Sequence, residues 1–247
     1  MKKFLFRIVL FSALLLSLPS KAQFIKQMQL LTPHYYPGIV YFQDGHHEEY
    51  AEIELPRTGK NALGVKKNGD EKKHTDIDAA DIVGIKFWHK NFPENIHVLH
   101  YVHGRKSMMQ SEHQWGTPVL GSAWGILYKC EMNYEVDKKT GDLSFVKFVG
   151  GNGPNTPTLF YLVRPNEDMA DLLIYNAGFA GGKKKAAEFF RENPTIYEDV
   201  KSGKLKATDI EYILDEMAGG KKLETPEQTI PQVQTDSVVN GQVGDDE

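Results

Sequence analysis

A chain of 247 residues that is 40% hydrophobic, 25% charged and 11% aromatic, with 22 Gly and 12 Pro, has a globular make-up, which excludes collagen-like, coiled-coil and wholly disordered chains. Its one cysteine can neither close an internal disulfide nor build a Cys-rich zinc site. A formal charge of −4 with no dominant block of Lys and Arg argues against nucleic acid as the partner.

Residues 1–22 read as a signal peptide. Lys2 and Lys3 supply a positive start, and Phe4 to Leu18 is apolar except for Arg7 and serines. The uninterrupted part, Ile8 to Leu18, is too short for a bilayer span, which takes roughly 20 apolar residues. Ser20-Lys21-Ala22 fits the small-x-small cleavage rule. The residue after the cut is Gln23, so lipid attachment through a cysteine is not indicated. Loss of Lys2, Lys3, Arg7 and Lys21 takes the charge from −4 to −8 and leaves 225 residues, with no later segment apolar enough to cross a membrane. The expected location is exported, in the periplasm or at the outer surface.

Strand signals follow. Ile39 to Gln43 is β-prone, Asp44-Gly45 is a tight-turn pair, and Ala51, Ile53 and Leu55 alternate with Glu52 and Glu54. Ala62 to Lys66, a turn at Asn68-Gly69-Asp70, and Ile82 to Trp88 form a second unit, with Val83, Ile85 and Phe87 on one face and Gly84 and Lys86 on the other. Ile96 to Val102 reads as a further strand with apolar residues on both faces.

The order Gly38-Ile39-Val40, Asp44-Gly45, Ile53-Glu54-Leu55-Pro56 and Asp81-Ile82-Val83-Gly84-Ile85-Lys86-Phe87 resembles exported proteins of Bacteroidetes-type bacteria to which no activity is assigned. The resemblance covers residues 38 to 90 and, more loosely, 183 to 218. It implies an envelope location and a meander before a short helical tail, and it lends no catalytic residues.

Residues 123 to 136 alternate without interruption, which predicts a strand with Trp124, Ile126, Tyr128, Cys130, Met132, Tyr134 and Val136 on its apolar face. Asp137 to Asp142 reads as a turn, Leu143 to Val149 as a return strand, and Thr158 to Val163 as a central strand. Beyond Pro165 the period changes. Asn166 caps a predicted helix with Met169, Leu172, Leu173 and Asn176 at helical spacing, ended by Gly178. A second helix spans Lys183 to Glu192, burying Ala186, Phe189 and Phe190. A third starts at Asn193-Pro194, turns Ile196 and Val200 inward and stops at Gly203. A fourth pairs Thr208 with Glu211 as a capping box before the stripe Ile210, Ile213, Leu214 and Met217. Residues 221–247 lose periodicity and end in Asp245-Asp246-Glu247, which reads as a disordered acidic tail.

Most chemical patterns fail on spacing. His97, His100 and His103 on a strand put His97 and His103 about 20 Å apart on one face and His100 on the other, so they cannot form one zinc site. His46-His47-Glu48-Glu49 lacks the helical His-Glu-x-x-His pattern. Cys130 lies on an apolar strand face, where burial suppresses the thiolate. Gly121-Ser122-Ala123-Trp124-Gly125 is not a nucleophile elbow, and Gly178 to Lys184 has the wrong spacing for a phosphate loop. The segment Gly104 to Gly121, long and polar, reads as a loop, and Met108, His113 and Trp115 are its candidate recognition residues.

These signals predict an α+β protein: signal peptide 1–22, an antiparallel β-rich domain 23–164 (meander, sandwich or partial barrel), a small C-terminal helical section 165–220, and the tail 221–247. The expected role is non-enzymatic binding or scaffolding in the bacterial envelope. No catalytic residue, cofactor or metal site is assigned, and the expected partner is an envelope protein or a small ligand. Two alternatives stay open: a metal-assisted hydrolase whose histidines converge in the fold, and a carrier of a small apolar ligand inside the β body.

Overall fold

The computed structural model describes residues 33–57, 62–105, 113–131, 133–145, 149–150, 153–154 and 158–220. The expected signal peptide (1–22), Met108 and the expected acidic tail (221–247) lie outside the described residues.

The chain forms β1 (Tyr35–Phe42), β2 (His47–Glu54), β3 (Ala62–Lys66), β4 (Thr75–Asp78), β5 (Ile82–His89), β6 (Phe92–His103), β7 (His113–Ser122) and β8 (Gly125–Cys130). Then come β9 (Tyr134–Val136), β10 (Leu143–Phe145), β11 (Val149–Gly150), β12 (Gly153–Pro154), β13 (Leu159–Val163), β14 (Asp171–Tyr175) and β15 (Gly178–Phe179). Three helices close the order: α1 (Gly182–Glu188), α2 (Pro194–Ser202) and α3 (Ile210–Met217). Eleven strands make one open antiparallel sheet in the order β15-β14-β13-β8-β7-β6-β5-β1-β2-β3-β4. The α+β architecture expected from the sequence is therefore present, built on one large open sheet and two small two-stranded ones, with no closed barrel among the described residues.

The first hairpin follows its residue chemistry. Gly45 takes φ 90, a conformation that costs glycine nothing, and Asp44 Oδ1 accepts the His46 N–H at 3.1 Å. The register between β1 and β2 shifts between Tyr36 and Gly38, where Pro37 has no N–H to offer the ladder, a natural place for a bulge. A short 3-10 turn, Ala79–Asp81, capped by Asp78 Oδ1 accepting from Ala80 N at 3.0 Å, carries the chain back to lay β5 beside β1.

Register assigns the faces. Val40, Ile85 and Leu99 stand opposite one another across β1, β5 and β6, and all three belong to a core with Phe87, Trp115, Tyr134 and Val136. Leu120, Leu127 and Leu162 are likewise opposite across β7, β8 and β13 and pack with Phe190, Val200 and Ile213 of the helical section. The β9–β10 hairpin and the three helices therefore cover the same side of the sheet, side by side. Tyr36 ties the hairpin down: its hydroxyl accepts the Val136 N–H at 3.2 Å and donates to the Val136 carbonyl at 3.4 Å. His97 Nε2 donates to the Gly141 carbonyl at 2.7 Å.

Several local expectations change. The long alternation from Trp124 to Val136 is two strands, β8 within the main sheet and β9 in the hairpin over it, whose side chains serve opposite sides of that sheet: Tyr128 and Cys130 enter a third cluster with Val102, Leu159 and Tyr161, while Tyr134 and Val136 enter the hairpin core. Between them Asn133 turns the chain at φ 60 and Tyr134 Oη accepts the Glu131 N–H at 2.9 Å. Both pieces have period two, so the break leaves no mark on the pattern. The predicted helix from Asn166 is instead a turn and strand β14, paired with β13 and β15; the β-sheet thus runs past Pro165 to Phe179. On β5 Ile82 replaces Val83 in the core, because the register with β1 shifts between Tyr41 and Phe42.

The helices were better foreseen. Asn193 caps α2, its side chain accepting the Ile196 N–H at 3.1 Å, and α2 stops at Gly203. Ahead of α3 the expected Thr208–Glu211 box is replaced by Asp209, whose carboxylate accepts the Lys206 N–H at 2.8 Å.

Candidate functional site

Residues 113–121, read above as part of a loop, belong to β7, paired with both β6 and β8. Trp115 is 8% exposed in the hairpin core, its ring 5.2 Å from that of Tyr101, and its carbonyl accepts from Tyr134 Oη at 3.0 Å. It is a packing residue of the core. His113 is placed on β7 opposite His103, and Met108 lies outside the described residues.

The remaining patterns resolve into local structure. Ser122 Oγ donates to the Gly125 carbonyl at 3.4 Å and accepts the Trp124 N–H at 3.2 Å, which closes the β7–β8 turn. His46 pairs with Asp44 and stacks on Phe42 at 4.1 Å, and His47 stacks on Tyr41 at 5.6 Å. Gly178 to Lys184 holds the end of β15 and the start of α1. Among the described residues no three His, Cys, Asp or Glu side chains are grouped to hold a metal.

The sheet side opposite the hairpin and helices carries the most unusual arrangement. One row crosses five strands: Tyr41, Gly84, His100, Gly116 and Cys130 stand opposite one another on β1, β5, β6, β7 and β8. Glycine alternates with a side chain along it. A Cβ at Gly116 would sit 2.6 Å from Cys130 Sγ, so the sulfur occupies the room that a side chain there would need. His100 is 3% exposed, and its Nδ1 meets Tyr128 Oη at 3.1 Å, while its Nε2 has no partner. Burial, and then the Lys86 ammonium, push the imidazole down to about 4, so it is neutral at ordinary pH. Burial pushes the Cys130 thiol up, with the Glu131 carboxylate adding to it, and holds the Tyr128 phenol protonated. A protonated thiol and a neutral, hydroxyl-bound imidazole do not make an activated nucleophile.

Beside that row lies a second. Ile39, Lys86 and Val98 are opposite one another on β1, β5 and β6. Trp88 and Ile96, two residues further along β5 and β6, continue the same side by strand alternation. Ile39, Tyr41 and Trp88 are half-buried, and Ile96 is 58% exposed. Lys86 stands in the middle of this apolar patch, its ammonium 5.3 Å over the Tyr41 ring.

No family model, curated protein or solved structure matches the chain.

The patch escaped sequence reading because it is made by cross-strand register. The one signal was the Gly84-x-Lys86-x-Trp88 alternation, which places a lysine and a tryptophan on the face opposite the core.

Proposed function

We propose that the protein is an exported, non-enzymatic binding or scaffolding component of the bacterial envelope, and that the patch around Lys86 is its contact surface. The observation that carries the reading is the grouping of an exposed apolar side chain, Ile96, with the half-buried Ile39, Tyr41 and Trp88, on the sheet side that bears neither the β9–β10 hairpin nor the helices. Contiguous apolar patches that reach the surface mark interaction sites, whereas single exposed apolar residues do not. The leader-like start of the chain supports the location. The inert protonation of Cys130, Tyr128 and His100 supports a structural duty for the titratable row behind the patch.

The test is photo-crosslinking in cells with a photoreactive amino acid at Ile96, compared with the same probe at Tyr212, which is 54% exposed on α3. The expected result is an adduct of defined mass at Ile96 and none at Tyr212. Equal labelling at both positions, or none at Ile96, contradicts the reading.

A further inference from the structure

We propose that the Lys86 patch takes a single-chain amphiphile with a carboxylate head and an aliphatic tail. The inference rests on the reading of this face as a contact surface and names its occupant. An ammonium is a strongly hydrated point charge, yet Lys86 is half-buried between Ile39 and Val98. Among the described residues no carboxylate pairs with it; its ammonium lies over the Tyr41 ring. A cation–π contact at an accessible site is weaker than a charge-assisted hydrogen bond to a carboxylate.

The surroundings select the rest of the ligand. On one side of Lys86 the face is closed: a Cβ at Gly84 would lie 2.8 Å from the Leu99 carbonyl oxygen, and His100 is buried, so Lys86 alone offers the cationic contact. On the other side Trp88 and Ile96 extend the apolar floor by about 7 Å, where only a hydrocarbon tail is matched. A polyanionic partner is disfavoured: the residue facing Ile39 on β2 is the exposed Glu49, so the patch holds one positive charge bordered by a negative one.

Calorimetric titration of the purified protein with decanoate tests the assignment, with decyltrimethylammonium (same tail, opposite head) and acetate (head alone) as controls. Saturable one-to-one binding of decanoate alone is expected. Lys86→Gln and Ile96→Ser should each weaken it tenfold or more, Lys86→Arg should retain it, and the remote Lys201→Gln should leave it unchanged, with melting curves confirming that each variant folds. Absence of saturable decanoate binding, equal binding of decyltrimethylammonium, or wild-type affinity in Lys86→Gln overturns the proposal. If decanoate fails while the Ile96 crosslink persists, the amphiphile is wrong and the contact surface stands; if both fail, both readings fall.

Discussion

Cys130 and Gly116 are locked together across β7 and β8: the sulfur sits where a Gly116 side chain would have to be, 2.6 Å from an ideal Cβ. The same Cβ would meet the Lys129 carbonyl oxygen at 3.2 Å, a backbone atom that cannot step aside. Gly116→Ala should therefore destabilise the protein by about 2 kcal/mol or more, the cost of overpacking. Part of that loss should be recovered in the Gly116→Ala/Cys130→Ala double variant, because the thiol is the closest of the three atoms that a Cβ there would meet. Urea denaturation of Gly116→Ala, Cys130→Ala and the double variant measures this as a coupling energy; strict additivity would show that the sulfur and the glycine are not matched.

His100 makes stability depend on pH. Its ordinary value is 6.5, and burial lowers it to about 4 in the fold. The unfolded chain thus takes up the proton below about pH 6.5, whereas the folded protein resists until about pH 4. Stability from this group is complete above pH 6.5 and is lost as pH falls through that window, by about 3 kcal/mol in total. His100→Gln should flatten the slope between pH 6.5 and 4 in urea midpoints measured across that range. Parallel curves for the two proteins would contradict the assigned shift.

Tyr36 is the clasp of the β9–β10 hairpin. Its hydroxyl serves both backbone groups of Val136, 100 residues away in the chain. Tyr36→Phe leaves a buried N–H and carbonyl without their partner and should cost about 1–3 kcal/mol. Hydrogen exchange should localise the effect, with the Val136 amide losing protection while amides of α2 keep theirs. Uniform loss across the molecule would mean that the hairpin does not open separately.

Export has its own signature. Protein recovered from the cell envelope should begin at Gln23 by intact mass and N-terminal sequencing, with residues 1–22 removed. Recovery of a chain that retains Met1 in the cytosol would contradict the location.

What could be read from the sequence is what local chemistry determines. Asn193-Pro194 and Gly203 bracket α2 because capping and stopping need only the residues themselves. The Asp44-Gly45 turn is equally local. By contrast, the long polar run from Gly104 to Gly121 reads as a loop, yet residues 113–121 are held as strand β7 by pairing with β6 and β8. Residues 171–175 match a helical spacing, yet they are claimed as strand β14 by pairing with β13, tertiary context overriding a weak local preference. The Lys86 patch was the least legible feature of all. Ile39, Lys86 and Val98 become neighbours only once three strands adopt a particular register.

Lysine footprinting addresses the contact surface most directly. An acetylating reagent applied to intact cells and to the purified protein, followed by peptide mass spectrometry, gives the ratio of labelling at Lys86 to that at Lys201, which is on the exposed side of α2. Masking of the patch in its native setting predicts a ratio several-fold lower in cells than in the purified protein. An unchanged ratio would mean that nothing occupies the face around Lys86.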